Sequence, residues 1–220
     1  MNYTLIPICA ILVAVFLYLE HKELYTGAVM LKGAASLCFV VLGIVNYAGS
    51  LPSKLIVIGL LLGMVADVLL NLRYVFPAKG QMIFLIGILV FLSGHILYLA
   101  AILPSSKNWI VCAVLAVIAT VFLMIWIFSK ITAALPFKIF GVFYLGAVVF
   151  LNVTALVNLL FNFSLFSLFF MLGALAFLVS DIILILNTFG SQSKFSLRIA
   201  NISLYYLGQL LIAFSLLYLK

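Results

Sequence analysis

Long apolar runs fill nearly all of the 220-residue chain, and only short polar or turn-rich breaks separate them. The runs are continuous rather than alternating, and each is long enough to cross the roughly 30 Å hydrocarbon core of a bilayer as a helix. With 69% hydrophobic and 7% charged residues, the chain has too much apolar surface for a soluble domain. The sequence therefore predicts an all-α polytopic membrane protein, with residues 1–220 forming a single transmembrane domain.

Eight transmembrane helices are predicted, and turn residues and most prolines fall between them. The predicted spans are about 3–19, 27–47, 54–73, 81–103, 108–128, 138–160, 165–187 and 199–219. Basic residues concentrate in the breaks after the odd-numbered spans, so the positive-inside rule places these breaks in the cytoplasm and both termini outside. The residues on the basic side are Lys22, Lys32, Arg73, Lys79, Lys130, Lys138, Lys194 and Arg198, and those on the other side are Lys54, Lys107 and Lys220.

The net charge of +7 lies at these helix ends, which indicates contact with anionic membrane lipids rather than with nucleic acid. The compact chain and the lack of an organelle signal favour a bacterial inner membrane. The oligomeric state is left open by the sequence.

The chain has only two aspartates, and both lie inside apolar runs: Asp67 in GLLLGMVADVLLNL and Asp181 in GALAFLVSDIILIL. A carboxylate at membrane depth costs a few kcal/mol or more on insertion, so such residues usually face a polar cavity and mark a functional site. Both aspartates are expected roughly 10 Å from the cytoplasmic ends of spans 3 and 7, at 1.5 Å per residue. Polar residues of spans 2, 6 and 8 are predicted near this layer, namely Lys32, Tyr144, Tyr205, Tyr206 and Gln209.

The two aspartate segments align at an offset of 114 residues, the separation of Asp67 from Asp181. Gly59 then matches Gly173, and the pair Gly94-His95 matches Gly208-Gln209. The alignment suggests a 4+4 parallel internal repeat, two four-helix halves related by a pseudo-twofold axis along the membrane normal. Such an axis would bring the two aspartates face to face at the repeat interface, where membrane proteins with repeats often place their site.

Six stretches carry a family resemblance: LKGAASL, GLLLGMVADVLL, FLIGILVFLSGHILYLA, FGVFYLG, GALAFLVSDIILILNTF and SLYYLGQLLIAFSL. Through them the chain resembles the YhhN-like integral membrane family, whose characterised members are lysoplasmalogenases. One departure is Ala66, because the family usually has glycine immediately before the aspartate of span 3. The resemblance implies hydrolysis of the vinyl ether of a lysoplasmalogen, a lysophospholipid with a 1-alkenyl chain, to a fatty aldehyde and glycerophospho-ethanolamine or -choline.

Vinyl ether hydrolysis needs an acid to protonate the β-carbon and a base for the water that attacks the oxocarbenium ion. Two carboxylates divide such roles in glycoside hydrolysis. We therefore expect Asp67 and Asp181 to be the catalytic acid and base, in either assignment, with no metal or other cofactor. The expected substrate-binding residues are Tyr144, Tyr205, Tyr206 and Gln209 for water or glycerol hydroxyls, Lys32 and Arg73 for the phosphate, and His95, which either lines a channel or bonds a backbone carbonyl of another helix.

The main alternative is a proton-coupled membrane transporter that uses the same two aspartates, since intramembrane carboxylates often carry protons. None of the eight spans has the internal proline flanked by glycines that would favour a broken helix. An intramembrane aspartyl protease also uses two aspartates, but its glycine-x-glycine-aspartate pattern is replaced here by GMVAD. A non-catalytic lipid-binding protein with the same cavity is a third alternative.

Overall fold

The computed structural model describes residues 4–219, so Lys220 and the predicted start of span 1 at residue 3 lie outside the described residues. Within residues 4–219 the chain forms eight α-helices and no β-strand, which confirms the all-α prediction. The helices are α1 Leu5–His21, α2 Tyr25–Val45, α3 Leu51–Val75, α4 Gly80–Ile102, α5 Trp109–Phe128, α6 Leu135–Phe161, α7 Leu165–Phe189 and α8 Phe195–Ser215.

Seven of these helices, α2 to α8, are long and apolar enough to cross a membrane. The exception is α1, an apolar helix of 17 residues, which at 1.5 Å per residue is about 26 Å long and close to the lower limit for a span. These helices make the chain an integral membrane protein. The outside location of the termini and the bacterial inner membrane stay predictions.

Short connections join consecutive helices into an antiparallel bundle, and every consecutive pair except α4 and α5 packs closely together. The odd-numbered helices therefore all end at the same end of the bundle. We call it the basic end, because Lys22, Arg73, Lys130 and Lys194 lie where α1, α3, α5 and α7 stop.

The helices that carry the aspartates repeat each other in length and in their starting signal. α3 and α7 have 25 residues each. The first residue of α7 follows the first residue of α3 by 114 positions, and the last residues of the two helices are separated by the same number. Ser50 and Ser53 form a capping box at the start of α3, and Ser164 and Ser167 form the equivalent box at the start of α7. The packing between the halves repeats as well. The repeat makes α2 equivalent to α6 and α4 equivalent to α8, and the structure contains both of the equivalent contacts, α4 with α6 and α8 with α2.

In each half of the repeat, one pair of glycines allows two helices to cross closely. A Cβ atom on Gly59 would lie 3.1 Å from the carbonyl oxygen of Gly94, and a Cβ on Gly173 would lie 2.8 Å from that of Gly208. The reciprocal distances from Gly94 and Gly208 are the same. Small residues at such crossings allow membrane helices to approach backbone to backbone. These equivalent contacts support the predicted 4+4 parallel repeat.

Replacing Gly173 by alanine should destabilise the protein by about 1–3 kcal/mol, because the new methyl group would meet the backbone of α8 at Gly208 and Ile212, which cannot move aside as the end of a flexible side chain can. The matched control is Gly146→Ala in α6, where the nearest atom to a new Cβ is 3.8 Å away. We expect the control to be neutral or slightly stabilising, since alanine favours a helix over glycine. Thermal unfolding of the purified variants measures both effects, and equal midpoints would contradict the close crossing.

Candidate active site

Asp67 is buried and held by three donors from two other helices. The Nζ atom of Lys32, on α2, forms an ion pair with Oδ1 at 3.1 Å. The hydroxyl groups of Ser36, on α2, and Tyr205, on α8, both donate to Oδ2 at 2.6 Å. Because a cation and two hydroxyls compensate the charge, this environment stabilises an ionised carboxylate.

Asp181 is equally buried but has a different environment. Its Oδ2 atom accepts a hydrogen bond of 2.7 Å from the hydroxyl of Tyr144 on α6. Among residues 4–219, no lysine or arginine forms an ion pair with it. An isolated charge is costly in such surroundings, which therefore favour the neutral, protonated carboxyl group.

Both aspartates line one cavity of about 120 Å³ between the two repeat halves. Most of its lining is apolar and comes from the ends of α3, α5 and α7 and the starts of α4 and α6 near the basic end. The apolar lining includes Phe84, Ile88, Phe91, Met124, Ile127, Phe128, Phe137, Phe140, Ile185 and Phe189. Among the predicted site residues, Lys32, Arg73, Tyr144 and Tyr205 also line this cavity.

A chain of polar contacts connects Asp67 to the basic end. Lys32 donates to the Oδ1 atom of Asn71 at 3.2 Å, and the Nδ2 atom of Asn71 lies 3.5 Å from Oε1 of Glu20. Arg198 holds Glu20 through two contacts of 2.8 and 2.9 Å. Lys32 is only 3% exposed, so its ammonium group is committed to Asp67 and Asn71.

Tyr206 and Gln209 lie behind the aspartate layer rather than on the cavity wall. The hydroxyl of Tyr206 donates to the backbone carbonyl of Lys32 at 3.1 Å and lies 3.0 Å from the Ser36 hydroxyl. Gln209 accepts a hydrogen bond from Tyr98 at 2.9 Å and donates one to Tyr205 at 3.3 Å. Both residues thus support the groups that hold Asp67.

His95 is buried in a box of aromatic rings formed by Phe91, Tyr98, Tyr144 and Phe177. Its Nδ1 atom donates to the carbonyl of Phe91 at 2.9 Å, a bond within its own helix rather than to a neighbouring helix. The Nε2 atom is then an acceptor, and it has no hydrogen-bond partner among residues 4–219. His95 contacts the ring of Tyr144, which lines the cavity, but His95 itself does not line it.

A second, polar cavity of about 440 Å³ opens beside the first at the basic end, and we call it the vestibule. The two cavities share the lining residues Arg73, Leu184, Thr188, Arg198 and Asn201. The guanidinium of Arg73 lies 4.6 Å from the ring centres of both Tyr74 and Phe84, at the boundary between the cavities. Its Nε atom is buried and has no partner in the described part of the chain.

Several polar residues of the site were not expected from the sequence: Glu20, Ser36, Asn71, Ser180, Arg198 and Asn201. Helical spacing provides a signal for three of them. Ser36 follows Lys32 by four residues and Asn71 follows Asp67 by four, so each shares a helix face with its predecessor. Asn201 precedes Tyr205 by four residues on the polar face of α8 in the same way. No group of three His, Cys, Asp or Glu side chains within residues 4–219 is close enough to hold a metal ion.

The sequence model of the YhhN family matches residues 27–216 of the chain. A comparison with curated proteins finds no significant match, and neither does a comparison with solved structures. The matched segment contains both aspartates and every other residue predicted for the site. Because the match covers most of its length, the chain belongs to the YhhN family.

Proposed function

We propose that the protein is a lysoplasmalogenase, a membrane hydrolase that cleaves the vinyl ether bond of a 1-alkenyl lysophospholipid. The observation that carries this proposal is the pair of buried carboxylates with unlike surroundings on one apolar cavity. Membership of a membrane protein family whose characterised members cleave this bond supports it further. The products are a fatty aldehyde and a glycerophosphodiester.

Asp181 is the acid in this proposal, because its surroundings favour a protonated carboxyl group. Its proton is transferred to the β-carbon of the vinyl ether, and the double-bond electrons form the new C–H bond. The positive charge that results is shared between the α-carbon and the ether oxygen. Tyr144 donates to Oδ2 of Asp181 and thereby orients the carboxyl group and stabilises the carboxylate left after proton transfer.

Asp67 is the base and the fixed negative charge. Its three donors leave one of the roughly four lone-pair positions of a carboxylate for a water molecule. The water oxygen bonds to the α-carbon of the oxocarbenium ion, and its proton passes to Asp67. The hemiacetal then breaks its bond to the glycerol oxygen, which takes the proton held by Asp67. The hemiacetal hydroxyl gives its proton to the Asp181 carboxylate as the aldehyde forms, so both aspartates return to their starting states.

The apolar cavity and the polar vestibule bind different parts of the substrate. The alkenyl chain contacts the apolar cavity, and the phosphate lies at Arg73, where the apolar cavity meets the vestibule. We assign Lys32 to Asp67 rather than to the phosphate, because its ammonium group already has two partners.

The test is aldehyde release from a 1-alkenyl lysophospholipid by the purified protein in detergent or nanodiscs. The matched control substrate is the 1-O-alkyl lipid, a saturated ether that cannot be cleaved by protonation of a double bond. We expect aldehyde from the alkenyl lipid and none from the alkyl lipid. No aldehyde from either lipid would reject the hydrolase and make proton-coupled transport the next function to test.

Replacing Tyr144 by phenylalanine should lower kcat about 10- to 100-fold and change KM little. The variant removes one hydrogen bond to a carboxyl group that becomes charged during the reaction, which corresponds to about 1.5–3 kcal/mol. The control is Tyr47→Phe, a residue that is 48% exposed. Initial rates of aldehyde release over a range of substrate concentrations separate kcat from KM, and a native rate for Tyr144→Phe would reject this role.

A further inference from the structure

The apolar cavity extends between α4 and α5, the one consecutive pair of helices within residues 4–219 that does not pack closely. Phe84 and Ile88 of α4 line this space from one side, and Phe128 of α5 lines it from the other. Phe84 and Ile88 follow the first residue of α4 by four and eight positions, about 6 and 12 Å along the helix. Leu89 and Ile125, on the same two helices, are exposed apolar residues suited to contact with lipid. We call this apolar gap, which leads from the cavity toward the bilayer, the side opening.

The two halves of the repeat differ at this place. Arg198 of α8 corresponds to Phe84 of α4, since the two residues are 114 positions apart. Arg198 forms an ion pair with Glu20 and so joins the start of α8 to the end of α1 in the polar vestibule. Phe84 instead lies with its ring centre 6.1 Å from that of Phe137 at the start of α6. Equivalent positions thus carry charges in one half and aromatic rings in the other, as the polar head and apolar chain of one lipid require.

Gly141 of α6 lines the cavity three residues before Tyr144, the residue that donates to Asp181. Three residues of a helix span about 4.5 Å. A Cβ atom on Gly141 would have no atom from elsewhere in residues 4–219 within 4 Å. A larger side chain at this position would therefore fill the cavity instead of displacing a neighbouring helix. Because α6 packs against both α4 and α5, Gly141 lies on the wall that joins Asp181 to the side opening.

We propose that the alkenyl chain of the substrate runs from Asp181 past Gly141 and leaves the protein through the side opening, an inference that rests on the proposed function. Gly141 then determines the specificity for chain length, because the lipid chain fills the space that a side chain would otherwise occupy. The far end of a long chain stays in the bilayer, where its methylene groups remain out of water. The protein therefore accepts long chains, and a larger residue at position 141 excludes them.

The test measures the binding of non-cleavable 1-O-alkyl lysophosphatidylcholines to the full chain in detergent, by competition with a fluorescent lysolipid. One probe has a hexadecyl chain, and the other has an ethyl group, which supplies only the two carbons that correspond to the vinyl group. Gly141→Leu should weaken the hexadecyl lipid about tenfold or more and the ethyl lipid by less than about threefold, each relative to the native protein. An unchanged affinity for the hexadecyl lipid, or equal losses for the two lipids, would overturn the proposal.

The matched control is Gly146→Leu on the same helix. Gly146 lines neither cavity, and the nearest atom to a new Cβ is 3.8 Å away. We expect this variant to bind both lipids as the native protein does. Gly141→Ala, which adds a single methyl group, should bind the hexadecyl lipid within about threefold of the native affinity. A loss in Gly146→Leu as large as that in Gly141→Leu would overturn the role of Gly141.

Photolabelling of the native protein tests the path of the chain without a variant. A hexadecyl lysolipid with a diazirine in the middle of its chain should label α4 and α5 at the residues of the side opening, such as Ile88 and Phe128. An excess of the unlabelled lipid should suppress this labelling, which separates the bound lipid from the surrounding detergent. Suppressible labelling confined to the vestibule residues of α1 and α8 would overturn the path.

Hexadecanol distinguishes the chain of a lysophospholipid from that of a simple fatty alcohol. We expect it to compete at least about tenfold less well than the hexadecyl lipid, and equal competition would overturn the assignment to a lysophospholipid. Because the alkyl probes contain no vinyl ether, their affinities do not depend on hydrolysis. A protein that shows the chain-length effect but releases no aldehyde would reject only the hydrolase. Aldehyde release with an unchanged chain-length preference in Gly141→Leu would reject only the side opening.

Discussion

Replacing Asp181 by asparagine is expected to reduce aldehyde release by about 10²–10⁴-fold, the usual contribution of general acid–base catalysis. An amide has the shape of the protonated carboxyl group and still accepts the hydrogen bond from Tyr144, but it has no acidic proton to give to carbon. We therefore expect Asp181→Asn to fold with nearly native thermal stability while the rate collapses.

Asp67→Asn should lose activity to a similar extent but should also be less stable. The substitution leaves the ammonium group of Lys32 buried without its carboxylate partner, and such breaks of a buried ion pair are strongly destabilising. The two isosteric variants are thus expected to agree in activity and to differ in stability. This difference follows directly from the unlike surroundings of the two aspartates.

Aldehyde release and thermal unfolding, measured on the same preparations after size-exclusion chromatography, check both expectations. Retained activity in either folded variant would contradict the two-carboxylate mechanism. A stable Asp67→Asn variant beside an unstable Asp181→Asn variant would reverse the assignment of acid and base.

Replacing Lys32 by methionine is expected to lower the free energy of unfolding by about 3–5 kcal/mol, because it leaves Asp67 as an unpaired charge in the bundle interior. The same change removes the contact to Asn71 and releases the carboxylate to pivot about its two hydroxyl donors. Activity should fall with stability, since the position of Asp67 on the cavity wall depends on this pair.

The double variant Lys32→Met/Asp67→Asn tests whether the loss comes from the unpaired charge. With both charges removed, the protein should regain most of its stability and remain inactive. Lys54→Met is the matched control, because Lys54 is exposed at the start of α3, at the end of the bundle opposite the basic end. Chemical denaturation of the native protein, the two single variants and the double variant gives the coupling free energy between Lys32 and Asp67. If the two single losses of stability simply add in the double variant, the two side chains do not interact directly.

Most of the architecture was predictable because it depends on local properties of the chain. Continuous apolar runs with polar breaks predict helices, and the eight helices within residues 4–219 correspond to the eight predicted spans. The offset of 114 predicted a repeat, and the matching capping boxes and glycine crossings of α3 and α7 support it. The positions of the helix ends were predicted less accurately. The sixth span was predicted to begin at about residue 138, but α6 begins at Leu135, because Pro136 is accommodated in the first turn of the helix instead of preceding it.

The aspartates were predictable as site candidates for a different reason, the cost of a carboxylate at membrane depth. Their sequence contexts are nearly alike, so nothing local distinguished their roles. The difference comes from other helices: Asp67 receives Lys32 and Ser36 from α2 and Tyr205 from α8, whereas within residues 4–219 Asp181 receives only the Tyr144 hydroxyl from α6.

The sequence by itself determined the class of protein, its helices and the two residues to examine, since hydrophobicity, helix-ending residues and rare buried charges are properties of single segments. Only the tertiary structure decided which polar groups meet. It paired Lys32 with Asp67, turned Gln209 away from the cavity, and brought Glu20 of α1 to Arg198 of α8 across most of the chain length. These contacts depend on how helices rotate and cross, which the close glycine pairs fix and which a linear pattern does not specify.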